Sequence, residues 1–175
     1  MCGIAGYLLK SPLKSSPQKI HSLLNPIRRR GPDDEGIFLI SREKKISQHY
    51  KTDQTVSAAA SRLKHINSPP DVIEHDLALI HTRFSIIDLS EGGHQPFVSQ
   101  DKSLTAIFNG EIYNYIELKN ELKELGVQFH TSSDTEVLVE GYRVWEDQLW
   151  NKMNGFWAVV LYDAVEDRVI FSRDR

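Results

Sequence analysis

The sequence predicts an α+β fold in which helices pack on sheets. Strand-like segments dominate the first part of the chain, with an amphipathic helix after the first of them. Two helices then follow each other, and the chain closes on a strand pair. Strands that succeed one another without an intervening helix join by antiparallel connections, against an alternating parallel α/β arrangement. At 175 residues, 40% of them hydrophobic, one domain over residues 1–175 with a sizeable core is expected.

Residues 2–9 are apolar, broken by Gly3 and Gly6, and read as the first strand. In residues 18–28, Ile20, Leu23, Leu24 and Ile27 recur at i, i+3, i+4 and i+7, the stripe of an amphipathic helix. Arg30-Gly31-Pro32-Asp33-Asp34 is turn chemistry, and residues 36–40 form a short strand. Residues 41–76 are polar and contain Ser68-Pro69-Pro70, which fits neither a helix interior nor a central strand. They read as an insertion loop with a short helix over 57–66. Strand character returns at 77–87 and at 104–108, with the loop Glu91-Gly92-Gly93-His94-Gln95-Pro96 between them and Asn109-Gly110 directly after.

Asn114 with Glu117, and Ser133 with Glu136, have the spacing of a capping box. Leu118, Leu122 and Leu125 form the stripe of the first helix, and Gly126 is its stop. Val137, Leu138, Gly141, Tyr142 and Trp145 line one face of the second. Residues 156–163 and 168–173 are strands joined by a polar turn, a hairpin.

A net charge of -3 gives no electrostatic reason to expect nucleic acid or an anionic membrane as partner. No apolar run approaches the roughly 20 residues of a membrane span. The start of the chain lacks a basic flank and its apolar stretch ends at Lys10, so a signal peptide is not expected. One cysteine forms no internal disulfide and fits a reducing cytosol. His81, His94 and the other histidines lack metal-ligand spacing, so they are assigned structural or surface roles and no metal is expected. Arg28-Arg29-Arg30 reads as a solvated helix end near the C-terminal dipole. No G-x-x-x-x-G-K-S/T phosphate loop occurs.

Cys2 is the sharpest chemical feature. Methionine aminopeptidases remove Met1 before a small residue, which places a thiol and a free α-amine on one residue. The amine, with a pKa of about 7.7–8.0, both accepts and donates a proton near neutrality. The thiol is a strong nucleophile beside such a base. The plain alternative is a small buried hydrophobe in the first strand. Asn109-Gly110-Glu111 offers an amide and a backbone N–H to a developing oxyanion, although Asn-Gly is also the commonest hairpin turn. Against a hairpin, the following residues lead into a helix. Arg83 supplies a planar fork for a carboxylate. Asp134, with Glu111 beside it, supplies an anion for an ammonium. Taken singly, the pair could equally be a snorkelling arginine and a helix cap.

Several motifs occur in one order from end to end. They are Met1-Cys2-Gly3-Ile4-Ala5-Gly6, Arg30-Gly31-Pro32-Asp33, His81-Thr82-Arg83-Phe84-Ser85-Ile86-Ile87-Asp88 and Gly93-His94-Gln95-Pro96. Phe108-Asn109-Gly110-Glu111-Ile112-Tyr113-Asn114 and Ser133-Asp134-Thr135-Glu136 follow, then Phe156-Trp157-Ala158 and Ser172-Arg173-Asp174-Arg175. Together they resemble the class II glutamine amidotransferases, and within them the asparagine synthetase family. The resemblance implies the N-terminal-nucleophile hydrolase fold, a four-layer αββα sandwich of antiparallel sheets. It implies that Cys2 is the nucleophile and that Asn109 and Gly110 form the oxyanion hole. Arg83 would bind the glutamine carboxylate, and Asp134 and Glu111 its ammonium. Backbone groups around Ile86 and Ile87 would line the pocket.

The implied activity is hydrolysis of L-glutamine through a Cys2 glutamyl thioester, with no cofactor for this half-reaction. In the family a second domain binds ATP and Mg²⁺ and uses the ammonia, most often to make asparagine from aspartate. No part of that domain is recognised within residues 1–175, so a synthetase domain is expected in cis or in trans. The 41–76 segment is longer than the family's usual connection. Two alternatives remain at this stage: an N-terminal-nucleophile amidohydrolase of other specificity, and a non-catalytic glutamine-binding or assembly module. The acceptor and the oligomeric state, a homodimer among the options, stay open.

Overall fold

Two central strands set the layers. β2 (Asp34–Ser41) and β5 (His75–Arg83) are buried along their whole length. Ile37, Leu39, Ala78 and Ile80 face one way, and Phe38, Ile40, Leu77 and Leu79 face the other. Strands apolar on both faces need cover on both sides. The computed structural model, which describes residues 1–55, 61–67, 72–86, 88 and 90–175, with Glu91 in its backbone alone, shows both covers. Ile20 and Leu24 of α1 (Pro17–Ile27) cover the first face. That helix starts where Ser16 accepts the Lys19 N–H at 3.4 Å, with a proline in its first turn. Ile107, Val160, Tyr162 and Val169 of a second sheet cover the other face.

The first sheet has the order β1-β5-β2-β3-β4, with β1 (Gly3–Leu13), β3 (Ile46–Lys51) and β4 (Lys64–His65). The second has the order β6-β7-β8-β9, with β6 (Phe97–Val98), β7 (Leu104–Ile112), β8 (Gly155–Asp163) and β9 (Arg168–Arg173), all antiparallel. Its outer face carries α2 (Tyr115–Glu124), α3 (Asp134–Trp145) and α4 (Leu149–Lys152). There Leu118, Leu122, Val137, Leu138 and Leu149 meet Ala106, Phe108, Val159 and Leu161. The layers therefore run α, β, β, α, as expected.

Four details depart from the sequence reading. Residues 41–76 are not simply a loop. β3 pairs antiparallel with β2, and β4 pairs parallel with β3. The strand signal was hidden because β3 is nearly an edge, with only Tyr50 fully buried. Of the short helix expected over 57–66, residues 57–60 lie outside the described residues, as do 68–70, and Lys64–His65 is strand. β5 ends at Arg83, before Ile86, and Ile87 lies outside the described residues.

β7 continues through Asn109-Gly110 to Ile112, paired with β8 throughout, where a helix approach was expected. The second cap differs from the first. The Asn114 side chain makes no cap bond; it donates to the Lys152 carbonyl at 2.9 Å and accepts the Asn154 N–H at 2.8 Å, fastening α2 to the start of β8. Ser133 caps α3 through the Thr135 N–H at 3.1 Å, whereas Glu136 reaches back to the N–H groups of His130 and Thr131.

Gly126 stops α2 at φ +90°, and its N–H donates to the Lys123 carbonyl at 2.9 Å. A Cβ there would meet nothing within 4 Å. Gly126→Ala therefore isolates backbone strain from crowding. It should lower stability by about 1–2 kcal/mol, the cost of a left-handed non-glycine residue, read as a shifted urea midpoint at unchanged slope.

Candidate active site

The strand register gathers one half of the site. Gly3 and Glu35 both pair with Thr82, and Asp34 pairs with Arg83. The residue before β1, the end of β5 and the start of β2 thus meet at one end of the first sheet. Cys2 is fastened there on two sides. Its Sγ accepts the Phe84 N–H at 3.4 Å and donates to the Phe84 carbonyl at 3.7 Å. Its own carbonyl accepts from Arg30 Nε at 3.0 Å. The turn before β2 is held to the same place, since the Asp33 N–H donates to the Arg83 carbonyl at 3.0 Å and the Asp33 carboxylate accepts the Ser85 N–H at 2.8 Å.

Arg83 is 6% exposed. Its guanidinium donates to the backbone carbonyls of Ser90, at 3.2 Å, and Asp88. A Cβ on Gly93 would lie 1.9 Å from Arg83 Nη2, so a larger residue there would displace the guanidinium from that wall. The Asp88 carboxyl organises the loop that receives it, accepting from the N–H groups of Ser90 and Ser132.

The second sheet and α3 supply the other half. Asn109, Gly110 and Glu111 lie in β7 opposite Ala158, Trp157 and Phe156. A Cβ on Gly110 would lie 2.1 Å from the Phe156 carbonyl oxygen, so the close approach of β7 to β8 requires glycine. Asn109 Oδ1 is buried with no hydrogen-bond partner among the described residues. Such an atom costs about 1–3 kcal/mol, so stability does not explain its placement. Asp134 opens α3 at 7% exposure. Burial pushes its carboxyl up to about 6. The N–H groups of Ile112, Thr135 and Asp134 itself pull it down, and the Glu111 charge adds to the rise. Gln95 ties these pieces together by accepting the Phe108 N–H at 2.7 Å and donating to Thr135 Oγ1 at 3.3 Å.

Cys2, Arg83, Asn109, Gly110, Glu111 and Asp134 line one cleft, together with the exposed Ile86 and Met1. Every site residue expected from sequence and described in the structure is in this cleft; Ile87 lies outside the described residues. Burial pushes the Cys2 thiol above its ordinary value. The Phe84 N–H, the N-terminal charge and Arg83 pull the other way, and Asp134 raises it further. Gly93 and Gln95 carried no expected role although they sit inside a quoted motif, and Arg30 was expected only as part of a solvated helix end. Arg29 and Arg30 are exposed, as expected of a solvated helix end, whereas Arg28 is half-buried. Arg28 pairs with buried Glu35 at 2.6 Å, and Arg30 holds the Cys2 carbonyl. Among the described residues no three His, Cys, Asp or Glu side chains converge as metal ligands do. None of the described helices is long and apolar enough to cross a membrane.

Residues 44–175 match the model of the glutamine amidotransferase domain. The chain belongs to the glutamine amidotransferase domain family. It is similar to a putative glutamine-hydrolysing asparagine synthetase 2 of Methanocaldococcus jannaschii, 30% identical over 100% of this chain and 30% of the relative. It is also similar to glutamine-hydrolysing asparagine synthetase 1 of Bacillus subtilis, 33% identical over 99% of this chain and 22% of the relative. Part of it resembles amidase chyE of Penicillium rubens, 38% identical over 57% of this chain and 15% of that protein. The chain thus spans under a third of the length of these relatives. The solved structure of a glutamine phosphoribosylpyrophosphate amidotransferase from B. subtilis, with ADP and GMP, superposes at a TM-score of 0.71, 21% identical, over 99% of this chain and 37% of that one. That likeness establishes the four-layer N-terminal-nucleophile hydrolase fold.

In this amidotransferase domain the thiol titration should depend on Met1. Removing Met1 moves the α-ammonium onto Cys2 itself, where its charge favours the thiolate more strongly. The pH midpoint of iodoacetamide labelling should lie above the ordinary thiol value with Met1 retained and fall once Met1 is removed. A midpoint that ignores Met1 would contradict this electrostatic picture.

Proposed function

We propose that this domain hydrolyses free L-glutamine to glutamate and ammonia and delivers the ammonia to an ATP-dependent amidating domain, with aspartate to asparagine as the whole reaction. One observation carries the reading: a nucleophile, two candidate oxyanion donors and a buried pair of opposite charges converge on one cleft. In a free amino acid the α-carboxylate and α-ammonium flank the same carbon, so a cation and an anion on facing walls suit it. Arg83 takes the carboxylate, and Asp134 with Glu111 takes the ammonium.

Once Met1 is gone, the Cys2 α-amine accepts the thiol proton and the sulfur attacks the side-chain amide carbon. The Asn109 amide and the Gly110 N–H stabilise the tetrahedral oxyanion. The amine returns the proton to the leaving nitrogen, the C–N bond breaks and ammonia departs. Water then cleaves the glutamyl thioester to glutamate. All of these groups are protein atoms, so this half-reaction needs no metal or organic cofactor. ATP and Mg²⁺ belong to the synthetase domain, in cis or in trans. A cytoplasmic location suits a single reduced thiol, and a homodimer is compatible with the reading.

The direct test compares free L-glutamine with a capped glutamine peptide. The mature domain should release ammonia from the first and not from the second, and Cys2→Ala should release none. Asn109→Ala should lower kcat by about 10²–10³ with little change in KM, the usual effect of losing one oxyanion donor. Equal turnover of both substrates would favour an amidohydrolase of other specificity.

Asp134 makes a separate prediction about pH. Its carboxyl sits up at about 6, and only the ionised form pairs with an ammonium. As pH falls below about 6 the free enzyme loses that anion, so kcat/KM for glutamine should decline. Asp134→Asn should show a lower kcat/KM and no such limb. A limb unchanged in the variant assigns it to another group.

A further inference from the structure

We infer that Glu35 is a positioning residue for Cys2, through which the segment after β3 braces the nucleophile. The inference rests on the glutaminase reading above. Glu35 and Gly3 flank Thr82 on either side of β5, and Glu35 is 1% exposed. A buried carboxylate is costly unless its oxygens are satisfied. Arg28 satisfies both, Nε to Oε1 at 2.6 Å and Nη2 to Oε2 at 3.1 Å, a two-point grip that fixes orientation as well as distance. Thr52 Oγ1 adds a third bond to Oε2 at 2.6 Å.

From this carboxylate the bonds run both ways. Toward the insertion, Thr55 Oγ1 donates to the Glu35 carbonyl at 2.6 Å and accepts the Thr52 N–H at 2.9 Å, so a short turn after β3 closes around Glu35. Toward the nucleophile, Arg28 opens a tight turn whose carbonyl accepts the Gly31 N–H at 3.2 Å. The last residue of that turn, Arg30, donates to the Cys2 carbonyl at 3.0 Å. A Cβ on Gly31 would lie 2.3 Å from the Thr82 carbonyl oxygen, so the turn is pressed against β5 with no room to shift inward. The path Thr52, Glu35, Arg28, Arg30, Cys2 is thus continuous.

Stability alone does not account for it, because replacing a buried ion pair with apolar residues is often neutral or stabilising. Position does account for it. Glu35 does not line the cleft, whereas the groups assigned to the substrate's charges stand on β5, β7 and α3. Loosening the brace should therefore move the sulfur and leave substrate binding in place.

Glu35→Gln keeps the shape and removes the charge. We expect kcat for glutamine to fall by about 10²-fold, the effect of misplacing a reacting group by about 1 Å, at unchanged KM. Arg28→Gln should match it, and the double variant should lose no more than either single, because the pair acts as a unit. Thr52→Val leaves the ion pair intact and should give a smaller loss of the same kind; it carries the test if Glu35→Gln does not fold. Iodoacetamide labelling of Cys2, the single thiol of the chain, reads its position without glutamine. It should speed up in Glu35→Gln and Arg28→Gln as the thiol leaves the shelter of Phe84. A folded Glu35→Gln with full kcat, a KM that rises in step with the loss, or labelling unchanged in Glu35→Gln and Arg28→Gln overturns the brace. If the unmodified domain turns over no glutamine, the glutaminase reading fails, and labelling still decides the brace.

Discussion

β5 hydrogen-bonds β1 on one side and β2 on the other, with Gly3 and Glu35 across from Thr82 and Asp34 across from Arg83. The other parts of the site depend on that register. A slip of one residue would turn every side chain of a strand to the opposite face. Arg83 would leave the gap between the sheets, and Cys2 would no longer lie beside the Phe84 backbone. The register is well defended, because Ile37, Leu39, Ala78 and Ile80 are committed to α1 while Phe38, Ile40, Leu77 and Leu79 are committed to the second sheet. Both sets are deeply buried, so a shifted strand would carry polar residues into both cores.

On this scaffold the cleft holds charge in a way that packing does not require. Among the described residues Asp134 has no ion-pair partner, and burial raises its carboxyl until ionisation is hard at mild acidity. The N–H groups of Ile112 and Thr135 oppose that rise and keep an anion available near neutrality. The helix N-terminus, with its unpaired N–H groups, works in the same direction. Arg83 stands on the facing wall, with its guanidinium set by the Asp88 and Ser90 carbonyls against Gly93. A ligand with one positive and one negative group close together would complete both walls. Asn109 Oδ1, buried and without a partner among the described residues, is a further polar group that the fold leaves unsatisfied.

Much of this was legible in the sequence. The helix stripes of Ile20 and Leu24, and of Leu118 and Leu122, pointed at the surfaces they now bury. The position of Cys2 and the order of the motifs gave the cleft its members. The strand β3 was hidden because Ile46-Ser47-Gln48-His49-Tyr50-Lys51 lies near a sheet edge and needs one buried anchor rather than an apolar run. The capping spacing of Asn114 misled, because a nearby partner, the start of β8, offered its side chain better-placed backbone groups. Asn109-Gly110 was expected to follow the end of its strand and lead toward a helix. In the fold its glycine serves close packing against Phe156 and Trp157. The ion pair of Arg28 was hidden within the arginine cluster because a buried partner such as Glu35, seven residues on, leaves no local pattern.

The two halves of the cleft stand on different sheets, so their separation must be fixed as firmly as either register. The apolar cluster of Phe38, Ile40, Leu77, Leu79, Ile107 and Tyr162 holds the sheets together, but apolar contacts are not directional. A directional bond joins the two sheets beside the site: His81 Nε2 meets the Phe108 carbonyl at 3.2 Å. Burial depresses the His81 ring to about 3, although the Phe108 carbonyl favours the charged form, so the ring is neutral at physiological pH. A carbonyl only accepts, so Nε2 carries the single proton and Nδ1 is left without a partner, as found. The imidazole is thereby locked in one tautomer. It joins the strand that ends in Arg83 to the residue preceding Asn109. The link between the two halves of the cleft is thus a neutral N–H donor whose ring stays uncharged near neutrality.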